Sequence, residues 1–167
     1  MPEPLLLSVA RLCEGLAEIP GPQSNPVIVR WAKDIGAPAY TDDSVAWCAV
    51  AQNRWVMTCG WPMSAARGSY DLLRAKSFET WGQKLEAPAL GCVMVFKRPE
   101  GAHVGIYVGE RIDAYRVLGG NTSNAVAEAW LAKDRLTAIR WPHGLALPLL
   151  RHVFLADNGQ PVSTNEA

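Results

Sequence analysis

The stretch that decides the fold is DDSVAWCAVAQNRWVMTCG, residues 42–60. Residues 45–59 are apolar around most of a helical circumference, and a glycine and a proline after them end the pattern. This pattern predicts a central helix buried in the core of the domain. Two aspartates and a serine at positions 42–44 precede the run, and these side chains commonly cap helix N-termini. We therefore expect them to set the start of the helix.

Helical patterns before this stretch and β-branched runs after it predict an α+β domain. Residues 4–18 carry apolar side chains at helical spacing, and residues 25–36 open with the helix-start pair Asn25 and Pro26. Three short runs separated by turn residues predict consecutive antiparallel strands, and a fourth could add another: residues 91–96, 103–110, 114–121 and 135–142. The order predicts N-terminal helices packed on one antiparallel β-sheet.

Length and composition favour one soluble domain. The 167 residues are 49% hydrophobic, enough for a core, and the 16 Lys and Arg residues balance 16 Asp and Glu residues. This balance argues against nucleic-acid binding. The N-terminal residues lack a cationic leader, so we expect synthesis in the cytoplasm without a signal peptide and no membrane insertion. Four cysteines without metal-ligand spacing and three histidines predict free thiols, no metal site and no cofactor.

Cys48 lies near the start of the predicted central helix and is a candidate nucleophile. A thiol attacks as its thiolate, and unpaired N–H groups at a helix N-terminus favour that form. A cysteine in an apolar helix is more often a small core residue, so both interpretations stay open from spacing alone. Cys13, Cys59 and Cys92 fit the core interpretation better.

Two residues downstream could serve a cysteine nucleophile. His103 opens a predicted strand after the turn RPEGA, where a side chain can project into a cleft and act as a base. Asn121 ends the next strand in VLGGN, where Gly119 and Gly120 allow close backbone approach, and could orient the imidazole. Taken singly, His103 also fits a surface histidine and Asn121 a turn asparagine. The functional interpretation therefore depends on the combination.

The combination has the chain order of papain-like cysteine hydrolases: a helix-borne cysteine, a histidine at a strand start, and a polar residue on the next strand. The sequence resembles the compact phage and bacterial cell-wall hydrolases related to CHAP and NlpC-type peptidases. The resemblance covers about residues 5–142 and is carried by five ordered blocks: EIPGPQSNPVIVRWAKDIG, DDSVAWCAVAQNRWV, ARGSYDLLRAKSFETWG, GCVMVFKRPEGAHVGIYVGE and VLGGNTSNAV.

The resemblance implies a role for each candidate residue. It implies Cys48 as nucleophile, His103 as general base and Asn121 as the residue that orients the imidazole. Asp43 and Trp47, beside the cysteine, are the candidate substrate-binding residues.

The resemblance also implies a papain-like fold, with residues 1–142 as a single cysteine hydrolase domain. We expect residues 143–167 to form a C-terminal extension whose last part is disordered. The sequence departs from the family pattern at Ala46, where relatives commonly have proline, and at Cys92, where they have a polar residue. Gly119 stands where some relatives have a glutamate, so the chain has no acidic residue there that could serve as the third catalytic residue.

The activity implied is peptidoglycan hydrolysis through a thioester, by an endopeptidase or an N-acetylmuramoyl-L-alanine amidase acting on stem peptides. The first expectation is a monomeric phage or prophage endolysin, made in the cytoplasm and acting on the wall in the periplasm, with a holin as partner. The second is a secretion-delivered effector toxin with an immunity protein. Rival interpretations are a catalytically silent cell-wall-binding or virion module, and a papain-like hydrolase acting on proteins inside the cell.

Overall fold

The computed structural model describes residues 2–64, 67–149 and 151–166 of the chain. Five positions lie outside these ranges: Met1, Ala65, Ala66, Leu150 and Ala167. The predictions that cover these positions therefore lie outside the described residues. Within the described residues, three α-helices precede six strands that form one antiparallel sheet. The predicted α+β class, with N-terminal helices and an antiparallel sheet, is confirmed, and the papain-like assignment stays a prediction.

Helix α1 spans Leu5–Arg11 and is shorter than the expected helix over residues 4–18. The backbone after it turns away to pair with a later strand: Gly15 N–H donates to the Val126 carbonyl, and Val126 N–H donates to the Leu16 carbonyl. These strand-like hydrogen bonds replace the helical ones that the apolar spacing suggested, so the prediction was wrong over the last turns.

Helix α2 spans Pro26–Asp34 and begins and ends where the sequence predicts. The Asn25 side chain accepts a hydrogen bond from the Val27 amide at 2.9 Å, which satisfies one of the free donors of the first turn. Gly36 follows with a φ of 91°, a left-handed conformation suited to a residue without a side chain.

Helix α3 spans Cys48–Thr58 and is the predicted buried central helix. It begins three residues later than the apolar pattern suggested, so that Cys48 is its first residue. Trp47 occupies the N-cap position without a side-chain cap bond. The expectation that residues 42–44 cap the helix was therefore wrong: their side chains make other contacts in the preceding loop.

The sheet follows the predicted meander and has two further strands. Its order is β1-β6-β2-β3-β4-β5, with every neighbouring pair antiparallel. The strands are β1 Gln83–Lys84, β2 Val93–Lys97, β3 Ala102–Glu110, β4 Ala114–Thr122, β5 Ala125–Ala132 and β6 Leu136–Trp141. Strand β5 was not predicted, because its sequence AVAEAWLA is rich in alanine and has few β-branched residues.

Helix α3 packs against β3 and β4 on one face of the sheet. Side chains alternate along a strand, and Val104, Ile106 and Leu118 join the hydrophobic cluster on the α3 side. Tyr107 and Val117 belong to a second cluster on the opposite face. Among the residues described, no helix is both long and apolar enough to cross a membrane.

Candidate active site

Cys48 is buried at the N-terminus of α3, with 3% of its surface exposed. Burial raises the pKa of its thiol, against the opposing effects of the Val104 backbone amide, the charge of Arg98 and the Ala49 amide. These groups are the donors and the positive charge that would stabilise a thiolate. In the state described by the structure, desolvation dominates and the thiol is protonated at neutral pH.

His103 lies at the second position of β3 and is 1% exposed. Burial lowers its pKa to about 4; Arg98 and Arg135 act in the same direction, and Glu166 opposes them. The imidazole is therefore neutral at pH 7. Its Nδ1 atom is buried without a hydrogen-bond partner among the described residues.

Gly119 on β4 lies directly against the imidazole. A Cβ at this position would be 2.8 Å from His103 Nε2 and 3.2 Å from Thr122 Oγ1, closer than side chains normally approach. At Gly120, a Cβ would be 2.5 Å from that of Ala51 on α3. The expected close backbone approach at the two glycines is confirmed.

Asn121 follows these glycines and is also buried. Its φ of 55° lies in the left-handed region, which asparagine tolerates better than most residues. Its Oδ1 atom has no hydrogen-bond partner among the described residues. Asn121 lies two residues beyond Gly119, which contacts the His103 ring, in a part of β4 where the pairing with β5 is irregular.

The structure brings the three candidates to one end of β3 and β4 without joining them by hydrogen bonds. Cys48 approaches from the α3 side and reaches the backbone at Val104, the residue after His103. The His103 ring lies toward the opposite face, against Gly119. No hydrogen bond links Cys48, His103 and Asn121 within the described ranges. Their catalytic roles stay predictions.

The two candidate substrate-binding residues are buried in structural contacts. The Asp43 carboxylate accepts hydrogen bonds from the Ile19 and Asn25 amides, at 3.1 and 2.7 Å, and so holds the loop before α2. Trp47 is fully buried and donates from Nε1 to Glu18 at 2.9 Å. These contacts position the chain before Cys48, and substrate binding by either residue stays a prediction.

A cleft of about 570 Å³ opens beside this end of the sheet. It is lined by residues before Cys48, by the β2–β3 turn, by the turn before β6 and by residues near the end of the chain: Ser44, Ala46, Arg98, Pro99, Glu100, Arg135, Thr164 and Glu166. In the sequence, Ala46 stands out only as a departure from the family pattern. Arg98, Arg135 and Glu166 could not be predicted, because no local pattern marks side chains that meet across the fold.

The remaining cysteines fit the core interpretation. Cys92 is fully buried in the cluster on the face opposite α3, and burial raises its pKa to about 12. Cys92 therefore cannot contact a substrate, as the polar residue that relatives have at this position could. Burial also raises the pKa of Cys59, to about 11. All four cysteines are free thiols, and no cluster of metal-ligating side chains occurs in the part of the chain that is described.

No family model, curated protein or solved structure matches the chain.

Proposed function

We propose that the protein is a cysteine hydrolase that cleaves peptide or amide bonds of bacterial peptidoglycan. The observation that carries the proposal is the position of Cys48. It is the first residue of a buried helix, and its thiol lies at the backbone amide next to His103. Nucleophilic catalysis requires a thiol at a position that favours the thiolate and a base that can reach it, and both residues lie at the same end of β3.

In the proposed mechanism, the His103 ring turns from its position against Gly119 toward α3, and a ring nitrogen then takes the proton of the Cys48 thiol. The thiolate attacks the substrate carbonyl carbon, and backbone N–H groups at the start of α3 donate hydrogen bonds to the oxyanion that forms. The intermediate collapses to a thioester as protonated His103 gives its proton to the leaving amine. His103 then takes a proton from water, which attacks the thioester and releases the acid and free Cys48.

The orienting role is proposed for Asn121. Its unpartnered, buried Oδ1 is an acceptor for an imidazole N–H, and Asn121 lies two residues beyond Gly119, which contacts the His103 ring. Such an acceptor holds the ring in the tautomer whose other nitrogen faces the thiol. A side chain at Gly119 would collide with the His103 ring, so an acidic residue does not fit there, in keeping with an amide as the third catalytic residue.

The test is the loss of turbidity of purified cell walls. The wild-type chain should clear them, and Cys48→Ala should clear them at least about 10³-fold more slowly, because it removes the nucleophile. Equal clearing by both chains, or clearing by neither, would overturn the proposal. Mass spectrometry of the released fragments separates an endopeptidase, which cuts within the stem peptide, from an amidase, which frees the sugar.

A second candidate is a catalytically silent wall-binding module. The observation that favours it is that no hydrogen bond joins Cys48 to His103 in the described residues. Co-sedimentation of the wild-type chain with walls, without any clearing, would establish this alternative. Activity on a protein substrate but not on walls would instead indicate a protease acting inside the cell.

The biological setting proposed first is an endolysin, and the second is a delivered effector toxin. Neighbouring genes separate the two: a holin-like membrane protein indicates the endolysin, and an immunity gene indicates the effector.

A further inference from the structure

The segment of residues 156–166 lies across the outer strands of the sheet and brings Glu166 to the candidate site. Backbone and side-chain hydrogen bonds hold it there: Trp130 Nε1 to Asn158 Oδ1 at 3.1 Å, Ser163 N–H to the Trp130 carbonyl at 2.7 Å, and Ser123 N–H to the Asn165 carbonyl at 3.0 Å. We call residues 156–166 the covering segment. Its Glu166 is only 2% exposed.

Two arginines from different parts of the fold hold Glu166. The Arg135 guanidinium donates to both carboxylate oxygens, at 2.6 and 3.3 Å, and Arg98 donates to the Glu166 backbone carbonyl. Burial acts to raise the pKa of Glu166, but hydrogen bonds from Arg135 and Ser163 and the Arg135 charge outweigh it and lower the pKa. The carboxylate is therefore ionised. A two-pronged guanidinium contact of this kind is specific for planar anions.

The same arginines line the cleft together with residues that precede Cys48. Arg98, Arg135 and Glu166 share this lining with Ser44 and Ala46. The charge of Arg98 also acts on both Cys48 and His103. A carboxylate bound by Arg135 would thus lie in the same cleft as Ala46, two residues before the candidate nucleophile.

The arginine pair retains donor capacity that Glu166 does not use. Arg98 Nε is buried without a hydrogen-bond partner among the described residues. Burying an ionised pair is costly and contributes little net stability, so a purely structural role explains the arrangement poorly. A ligand with further acceptor atoms would satisfy the unused donor.

We propose that Arg135 forms a carboxylate-binding subsite in the cleft that Ser44 and Ala46 also line, that Arg98 holds the backbone carbonyl of the bound residue, and that Glu166 occupies the subsite as an internal ligand. The ligand class is a peptide with an acidic side chain, which enters when the covering segment moves aside. That this peptide is the substrate rests on the proposed hydrolase function; the subsite itself does not. Peptidoglycan stem peptides carry free carboxylates near the bonds that such enzymes cut.

The test measures binding in the full chain carrying Cys48→Ala, so that nothing is turned over. The probes are acetyl-alanyl-glutamate amide and its uncharged match, acetyl-alanyl-glutamine amide, titrated by NMR. Adding Glu166→Ala should tighten binding of the glutamate probe at least about tenfold and leave the glutamine probe unchanged. Adding Arg135→Ala as well should abolish the gain. Equal affinity for the two probes in the Glu166→Ala chain would overturn the proposal.

A second variant covers the case in which Glu166→Ala does not fold, as circular dichroism would show. Asn158→Ala removes the Trp130 hydrogen bond that anchors the covering segment, and it leaves both arginines and Glu166 intact. It should tighten binding of the glutamate probe about threefold in the same Cys48→Ala chain, and no gain would overturn the proposal. Because no turnover is involved, failure of wall clearing with carboxylate-selective binding intact overturns only the hydrolase function.

Discussion

The imidazole of His103 lies so close to Gly119 that an added Cβ would be 2.8 Å from Nε2. Gly119→Ala must therefore displace the ring of the proposed base. We expect wall clearing to slow at least about tenfold, with a loss of about 1–3 kcal/mol in the free energy of unfolding from overpacking.

The matched control for that change is Gly109→Ala on β3. Its Cβ would be 2.6 Å from the Leu155 side chain, so it overpacks the same sheet without contacting His103. Unfolding in urea measures both variants. Equal clearing rates at equal loss of stability would show that the Gly119 contact serves packing alone.

Asn121 combines an unusual backbone conformation with a side chain proposed to orient His103. Asn121→Gly keeps the left-handed φ accessible and removes only the amide. We expect kcat for wall fragments to fall about 10- to 100-fold with little change in KM and little change in stability. Asn121→Ala should lose the same activity and also about 1 kcal/mol of stability, because of the strained φ. Full activity in the glycine variant would reduce Asn121 to a turn residue.

The thiol of Cys48 is covered in the structure, and its reactivity should report whether the site opens. Burial raises the pKa of both Cys48 and Cys92, so both should react slowly with iodoacetamide at pH 7. Glu166→Ala should speed labelling of Cys48 at least about fivefold relative to Cys92, the internal control on the opposite sheet face. Peptide mass spectrometry gives the two rates, and an unchanged ratio would mean that Glu166 does not cover the thiol.

The free energy of unfolding should decrease as the pH is lowered, because His103 is buried as a neutral ring. Its pKa is lowered from 6.5 to about 4 in the folded state, so the unfolded chain binds a proton more readily between these values. The contribution of the neutral ring to the free energy of unfolding is fully present above pH 6.5. It is lost as the pH falls toward 4, which lowers the free energy of unfolding by up to about 3 kcal/mol.

Urea unfolding at pH 7 and pH 4.5 measures this effect. His103→Gln should show a much smaller difference in stability between the two pH values than the wild-type chain. His143→Gln, a change of an exposed histidine, should keep the wild-type difference. Identical pH dependence in all three chains would contradict a neutral, buried His103.

Local patterns predicted the elements that carry the candidate site. The apolar run identified α3, and the β-branched runs identified β2, β3 and β4, because burial on one or both faces leaves a periodic signal in sequence. The chain order of Cys48 and His103 then suggested that helix start and strand start meet, and the structure brings both to the same end of β3.

What local patterns could not predict was decided by contacts between distant parts of the chain. Helix α1 ends early because residues near Gly15 pair with β5, an alanine-rich strand with a weak signal of its own. Likewise, Glu166 meets Arg98 across 68 residues of sequence, and nothing near either residue marks the contact.

The most direct test of the central claim is the release of new amino groups from purified peptidoglycan, counted with an amine-reactive dye. Hydrolysis of a peptide or amide bond frees one amino group for each bond cut. The wild-type chain, and more strongly Glu166→Ala, should release amines, whereas Cys48→Ala and His103→Gln should release none above the background. Release by Cys48→Ala at the wild-type rate, or no release by either the wild-type or the Glu166→Ala chain, would contradict the account.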